Sequence, residues 1–342
     1  MRTISGQEAL SNLRRNQFAI WSDGGNDASP GLDPNYAGHR VQKRFAEVHA
    51  DTMFSLGPGA KIFAVGLCFA REIEGAFARR GFTVLSNDDS YLRRNYQNQT
   101  DEEQTFNQTD FASDQPWGPG NYINRYTTAS MLLELQRSIG AFVLPDNAML
   151  YESDGHFTDL HFASGCESGG MSLVRRRRAI TREVTQRIAV ADLIILTLGL
   201  IESWYDRKHS VYINSAPTPL QLRRSGDRFE MRRLGYDDNL ANLREIFALA
   251  KRANPKASFV VTVSPIPLEA TFSADDVVVA NTASKAILRA VVDEFCSTHP
   301  DVLYFPSFEI VCHSDPSHAW EGDRRHVTSQ MIDHVIRTFE NG

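Results

Sequence analysis

Apolar positions along the chain change period in a regular way, and the changes mark the elements. The stretch KIFAVGLCFAREIEGAFARRG opens with a short continuous apolar run, Lys61–Val65, which predicts a buried strand. Gly66 permits a sharp turn. From Phe69 the apolar residues recur every four positions (Phe69, Ile73, Phe77), which is one face of a helix, and Gly81 stands where a helix stop is expected. The same alternation continues downstream. Strands are predicted at 82–85, 193–198, 259–263 and 302–305, and helices at 126–139, 178–190, 239–253, 282–296 and 328–339. Two stretches interrupt it. Residues 86–120 are crowded with Asn, Gln, Asp and Thr, yet carry Tyr91, Tyr96, Phe106, Phe111 and Trp117, and read as an ordered cap. Residues 202–235 read as an insertion in which 209–214 and 227–232 pair as a hairpin.

Nearly continuous apolar strands alternating with helices predict an α/β fold, a doubly wound, mainly parallel sheet covered on both faces. The expected organisation is an N-terminal arm with loops over 1–60, then one domain over 61–342 carrying the two insertions. In such sheets ligands sit beyond the carboxyl ends of the strands. Cys68, Gly199 and Ser264 all fall at such ends.

Composition narrows the function classes. The 342 residues are 42% hydrophobic and 23% charged, with a net charge of −6 and a pI near 5.9. This argues against nucleic acid or an anionic membrane surface as a partner. The basic run Arg175 to Arg178 reads as a solvated helix start, with an anion-binding patch as the alternative. No apolar leader and no run of membrane-spanning length is visible, so a cytoplasmic location is expected. Cys68, Cys166, Cys296 and Cys312 are widely spaced, which argues against a disulfide framework or a standard zinc module.

Two places carry candidate chemistry. Cys68 precedes a helix, where free N–H groups and the dipole favour a thiolate; the alternative is a small buried residue. Near the end of the chain stands Asp323-Arg-Arg-His326. Residues three apart on a turn face the same way, so the Asp can fix the imidazole tautomer and leave the other nitrogen as a base. Nucleophile early and Asp-x-x-His late is the order of SGNH-type hydrolases. A rival reading gathers Cys312, His313, Asp315, His318, Asp323 and His326 as metal ligands, but their spacing matches no standard module, and no metal is expected.

The segments Gly66-Leu-Cys-Phe-Ala70, Asn124-Arg-Tyr126, Leu196-Thr-Leu-Gly-Leu-Ile-Glu-Ser-Trp-Tyr205, Val263-Ser-Pro265, Tyr304-Phe-Pro-Ser-Phe-Glu309 and Asp323-Arg-Arg-His326 together resemble the GSCFA-domain family. That family is related to the SGNH/GDSL hydrolases and is met in bacterial polysaccharide contexts. The resemblance implies a three-layer, flavodoxin-like α/β fold and a Cys68, His326, Asp323 site. It also implies an oxyanion pocket from the backbone N–H groups of Cys68 and Gly199 and the Asn124 side chain. Two departures stand out. Leu67 occupies the Ser position of the family's naming motif, and Gly199-Leu-Ile-Glu202 stands where a G-x-N pattern is expected. Glu202 is expected to orient substrate hydroxyls. Trp204, Tyr205 and Trp117 are expected to stack on a sugar ring, with packed aromatics as the equal alternative. Ser284-Lys285 is a further candidate polar contact, with a solvated helix face as the preferred reading.

The implied activity is acyl transfer on a carbohydrate or polysaccharide precursor. The enzyme is either an O-acyltransferase with acyl-CoA as co-substrate or the related esterase, without a tightly bound cofactor. The alternative is a non-catalytic glycan-binding or assembly protein on an eroded scaffold. A homo-oligomer is compatible with either.

Overall fold

The computed structural model describes residues 3–23, 29, 31–41, 43–50, 56–86, 123–163 and 168–341. The chain parts into two compact units: Phe54–Phe305, and Met1–Met53 together with Pro306–Gly342.

The larger unit contains ten strands among the described residues: β1 (Lys61–Val65), β2 (Thr83–Val84), β3 (Leu150–Ser153), β4 (His156–Asp159), β5 (Leu193–Leu198), β6 (Glu202–Asp206), β7 (Val211–Ile213), β8 (Phe229–Arg233), β9 (Ser258–Val263) and β10 (Val302–Tyr304). Five form the central sheet in the order β2-β1-β5-β9-β10, every pair parallel. All six residues of β5 are buried, as a strand covered on both faces requires. Helices Cys68–Arg79 and Val277–Thr298 pack on the sheet through Phe69, Ile73 and Phe77, and through Leu288, Val291, Val292 and Phe295. The α/β class with a parallel sheet agrees with the sequence reading.

In this order the chain reverses direction across the sheet between β1 and β5, which makes their carboxyl ends the topological switch point where doubly wound sheets open a crevice. The register sharpens this. Val65, the last residue of β1, lies opposite Leu196, so β5 runs two residues further and brings Thr197 and Leu198 beside the Gly66-Leu67 turn.

The insertion departs from its predicted pairing. The segments at β7 and β8 do not pair with each other; both flank β6 in a three-stranded antiparallel sheet. The sequence reading gave Glu202 to Tyr205 to substrate contacts and so overlooked the strand they form. A buried Asp206 pins this sheet, accepting from Arg228 at 2.7 Å, from His209 at 2.8 Å and from the Lys208 N–H at 3.0 Å. A β3-β4 hairpin turns through Asp154 and Gly155, both with positive φ, the Asp-Gly pair that tight hairpins favour. A satellite core of Leu133, Met149, Leu160, Ile213 and Phe229 supports this part of the unit, with Trp204 packed on it.

The helix expected at 178–190 begins at Met171 and closes at Gln186, followed by a 3-10 turn at Arg187–Val190. Arg177 lies within its apolar stripe of Leu173, Val174, Ile180, Thr181 and Val184, which masked the period. The basic run is therefore not a solvated helix start throughout. Arg177 is buried, and Arg178 bonds Asp159 and the carbonyls of Asp146 and Ala148. The cap expected over 86–120 falls, apart from Ser86, outside the described residues, as do Trp117 and Cys166.

The smaller unit is helical among its described residues. Helix Ser329–Asn341 buries Met331, Ile332, Val335, Ile336 and Phe339 along one face. His334 bonds the Ala46 carbonyl at 2.9 Å, and the Ser314 hydroxyl accepts from the Ala46 N–H at 2.7 Å, so the first and last parts of the chain fold together. Among the described residues no helix is long and apolar enough to cross a membrane.

Candidate active site

The larger unit gathers its candidate residues at the switch point. Cys68 is the first residue of its helix and half-buried, and the N-cap residue Leu67 has no side chain that can cap the helix start. Gly66, in the turn before it, and Gly199, just beyond β5, are needed because backbones and side chains approach closely there rather than because φ is positive. A Cβ on Gly66 would lie 2.8 Å from the Thr197 Cβ and 3.0 Å from that of Ala70. A Cβ on Gly199 would lie 2.0 Å from a Leu67 methyl and 3.1 Å from the Tyr126 carbonyl oxygen. Leu67 itself is buried, so the hydrophobic residue at the family's Ser position packs on Gly199 while its neighbour Cys68 stays partly open.

The segment 124–127 crosses both turns. The Arg125 N–H donates to the Gly66 carbonyl at 2.8 Å, and the Leu200 N–H donates to the Tyr126 carbonyl at 3.0 Å. Asn124 is thereby brought beside the Cys68 turn. Asn214 fixes this crossing: its Nδ2 donates to the Asn124 carbonyl and its Oδ1 accepts from the Tyr126 N–H, both at 2.9 Å. The structure thus brings Cys68, Gly199 and Asn124 to one edge. Asn214 went unnoticed in the sequence, because it sits in the insertion with no motif around it.

Two ion pairs lie behind this edge. Arg71 pairs with Glu74 at 3.0 Å and donates to the Ala64 carbonyl; burial lowers its pKa, against the pull of Glu74. Arg125 pairs with Glu134 at 2.6 Å, and His161 Nε2 bonds the same carboxylate at 2.7 Å. Burial opposes the charge on Glu134, but Arg125 and His161 outweigh it and hold its pKa well below the ordinary value. Burial, with Arg125 nearby, pushes His161 down to about 4, so at neutral pH its ring is neutral and Nε2 donates to the ionised Glu134.

The expected substrate contacts fare differently. Both Glu202 carboxylate oxygens are engaged, one by the Thr271 hydroxyl and the other by the Phe272 N–H at 2.9 Å. Its role in the fold is to hold the 264–276 loop, not to present a free carboxylate to sugar hydroxyls. Trp204 and Tyr205 are adjacent on β6, so their side chains leave opposite faces of the small sheet and cannot line one face of a sugar. Trp204 packs on the satellite core and edge-on to Phe272 at 5.0 Å. Tyr205 stands against Tyr212 and beneath the Arg232 guanidinium, which is 3.4 Å from the ring centroid. The packed-aromatic alternative describes both residues. Ser264 is buried at the end of β9 and its hydroxyl accepts from the Ile266 N–H. Ser284 and Lys285, expected on a solvated face, are buried: their positions join the stripe of Ala280, Leu288 and Val292.

In the smaller unit Asp323 and His326 form a self-contained turn. The Glu321 N–H donates to the His326 carbonyl at 2.8 Å, and Trp320 and Val327 form a bridge that closes the loop. Asp323 Oδ1 accepts from the N–H groups of Arg325 and His326 at 2.9 and 3.0 Å, and Oδ2 meets His326 Nδ1 at 2.6 Å. The backbone donors and the imidazole hold the Asp323 pKa well below the ordinary carboxylate value. An ionised Asp only accepts, so it is Nδ1 that carries a proton in this bond. Among the described residues no three of His, Cys, Asp and Glu are arranged to hold a metal ion. In the rival cluster Asp315 is spent on Ser317 and His318.

The model of the GSCFA family matches residues 61–339. The chain belongs to the GSCFA family. No curated protein matches it. The GSCFA match begins at β1 and ends within the last helix, so both the Cys68 turn and the Asp323–His326 turn lie inside it.

Proposed function

We propose that this GSCFA protein is an acyl-transfer enzyme of SGNH-like, three-layer design, with Cys68 as nucleophile and His326, held by Asp323, as the base that takes the thiol proton. The supporting observation is the position of Cys68: a half-buried thiol on an uncapped helix start, at the switch point of a parallel sheet, beside Gly199 and Asn124. Helix N-termini favour thiolates, and such sheet edges are where ligands bind. Leu67 does not weaken this reading, because it is buried against Gly199 while Cys68 is only half-buried.

In the proposed reaction the Cys68 sulfur attacks the carbonyl of an ester or thioester. The new C–S bond forms as the alcohol or thiol departs with the proton carried by His326. The Cys68 and Gly199 N–H groups and the Asn124 amide are the candidate donors for the oxyanion. A carbohydrate hydroxyl, or water in the esterase version, then takes the acyl group and restores the thiol. Cytoplasmic acyl-CoA is the proposed donor and a polysaccharide precursor the proposed acceptor. The test is incubation of the full chain with acetyl-CoA and with a simple acetyl ester, read by intact mass and product release. Loss of both signals in Cys68→Ala supports the reading. Unchanged turnover in Cys68→Ala ends it. Glycan binding with no turnover, unaffected by His326→Ala, selects a binding or assembly role instead.

A further inference from the structure

One side chain ties together the two chain segments that leave β5 and β9. Lys285, on helix Val277–Thr298, is 3% exposed, and its Nζ donates to the Gly199 carbonyl at 2.9 Å and to the Ile266 carbonyl at 2.8 Å. Its neighbours on the helix, Ala280, Ser284, Leu288 and Val292, are buried too, so the ammonium sits where an apolar residue would pack without the cost of burying a charge. The clamped residue is the one that matters to the site. Gly199 lies against Leu67, and Leu67 is followed by Cys68. The sequence places Lys285 more than two hundred residues from Cys68; the fold puts a single peptide and a single side chain between the ammonium and the Cys68 turn.

We propose that Lys285 is a positioning residue of this site: it holds the Gly199 peptide in one orientation and sets a buried positive charge behind the Cys68 turn, favouring the thiolate. The proposal rests on the reading of Cys68 as nucleophile. Among the described residues two matched pairs stand close to the turn, Arg71 with Glu74 on the Cys68 helix and Arg125 with Glu134 on the crossing segment and the helix after it; His326 and Asp323 join them in the proposed reaction. They are retained in every variant compared, so a change at Lys285 is read against an otherwise constant set of charges.

The experiment is the pH profile of Cys68 alkylation by iodoacetamide in the full chain, resolved by peptide mass, with Cys296 and Cys312 as internal references. Lys285→Met is expected to raise the Cys68 midpoint by about one pH unit, the direction that loss of a neighbouring cation gives. Alkylation at neutral pH slows several-fold with it. Lys285→Arg, which keeps a cation and donors, is expected to return the midpoint toward that of the parent. Where Lys285→Met does not fold by circular dichroism, Lys285→Gln is read in its place, with the Arg variant as the second measure. An unchanged midpoint in a folded Met or Gln variant, even with slower alkylation at every pH, is a packing effect and overturns the proposal. So does a folded Arg variant whose midpoint moves as far as that of Met. No acyl donor enters this measurement, so it can fail while acyl transfer stands, and the reverse.

Discussion

The turn that carries Cys68 is assembled from five stretches of chain, around residues 66, 124, 199, 214 and 285, whereas the described bonds that set Asp323 and His326 are short-range, within 316–328. The first is a product of tertiary packing: glycines admit close approach, a buried lysine clamps carbonyls, and a buried asparagine holds the crossing segment. The second is a product of local hydrogen bonding and stands half-exposed to water. Damage should therefore spread differently. A change at the Cys68 turn should disturb fold and chemistry together, while a change at the Asp323 turn should disturb chemistry and leave the fold standing.

The largest expected effect is on turnover. His326→Ala should reduce acyl transfer by about 10² to 10⁴-fold, the usual contribution of a positioned base. Cys68→Ala should abolish it. The double variant should be no worse than Cys68→Ala, because residues acting as a unit are not additive. In the same assay Asp323→Asn should lose most of the rate of the parent, yet its thermal unfolding midpoint should fall only slightly, because the half-exposed turn keeps an amide oxygen as acceptor. A clear fall in that midpoint would erase the contrast drawn above.

Gly199→Ala tests the other side. The new methyl meets a Leu67 side chain at 2.0 Å and the Tyr126 carbonyl at 3.1 Å. Overpacking of this kind costs about 1 to 3 kcal/mol. The variant should unfold at lower denaturant and also alkylate differently at Cys68. Leu67→Ala, which clears the nearest contact, should return part of the stability in the double variant. Additive losses would show that the Leu67 contact is not the source.

The narrowest effect, confined to acid pH, is a pH dependence behind the Cys68 edge. His161 is depressed to about 4 from an ordinary value of 6.5, so the unfolded chain binds its proton more readily over that interval. Its contribution to stability is fully present above pH 6.5 and is lost as pH falls toward 4. Unfolding midpoints measured from pH 7 to 4 should fall in the parent, and fall less in a folded His161→Gln variant. Equal slopes would remove His161 as the cause.

How much was legible follows the same division. The sheet strands were readable because continuous apolar runs such as Leu193–Leu198 are what a strand buried on both faces needs. The Asp323-x-x-His326 pair was readable because three-residue spacing on a turn is a local property. Strand β6 was not, since Glu202, Trp204 and Tyr205 look like contact residues when their cross-strand partners are unknown. Arg177 and Lys285 hid helix stripes by putting charge on buried positions, and only partners distant in sequence, such as Gly199 and Ile266, make sense of Lys285. The Asp154-Gly155 hairpin carried a usable signal that the apolar pattern alone does not register.

The most direct measurement is the mass of the full chain quenched during turnover with acetyl-CoA. The account predicts a species heavier by one acetyl group, mapped to the Cys68 peptide, lost on adding hydroxylamine and missing in Cys68→Ala. Undiminished acyl transfer by Cys68→Ala, or an acetyl group mapped to any other residue during productive turnover, would contradict it.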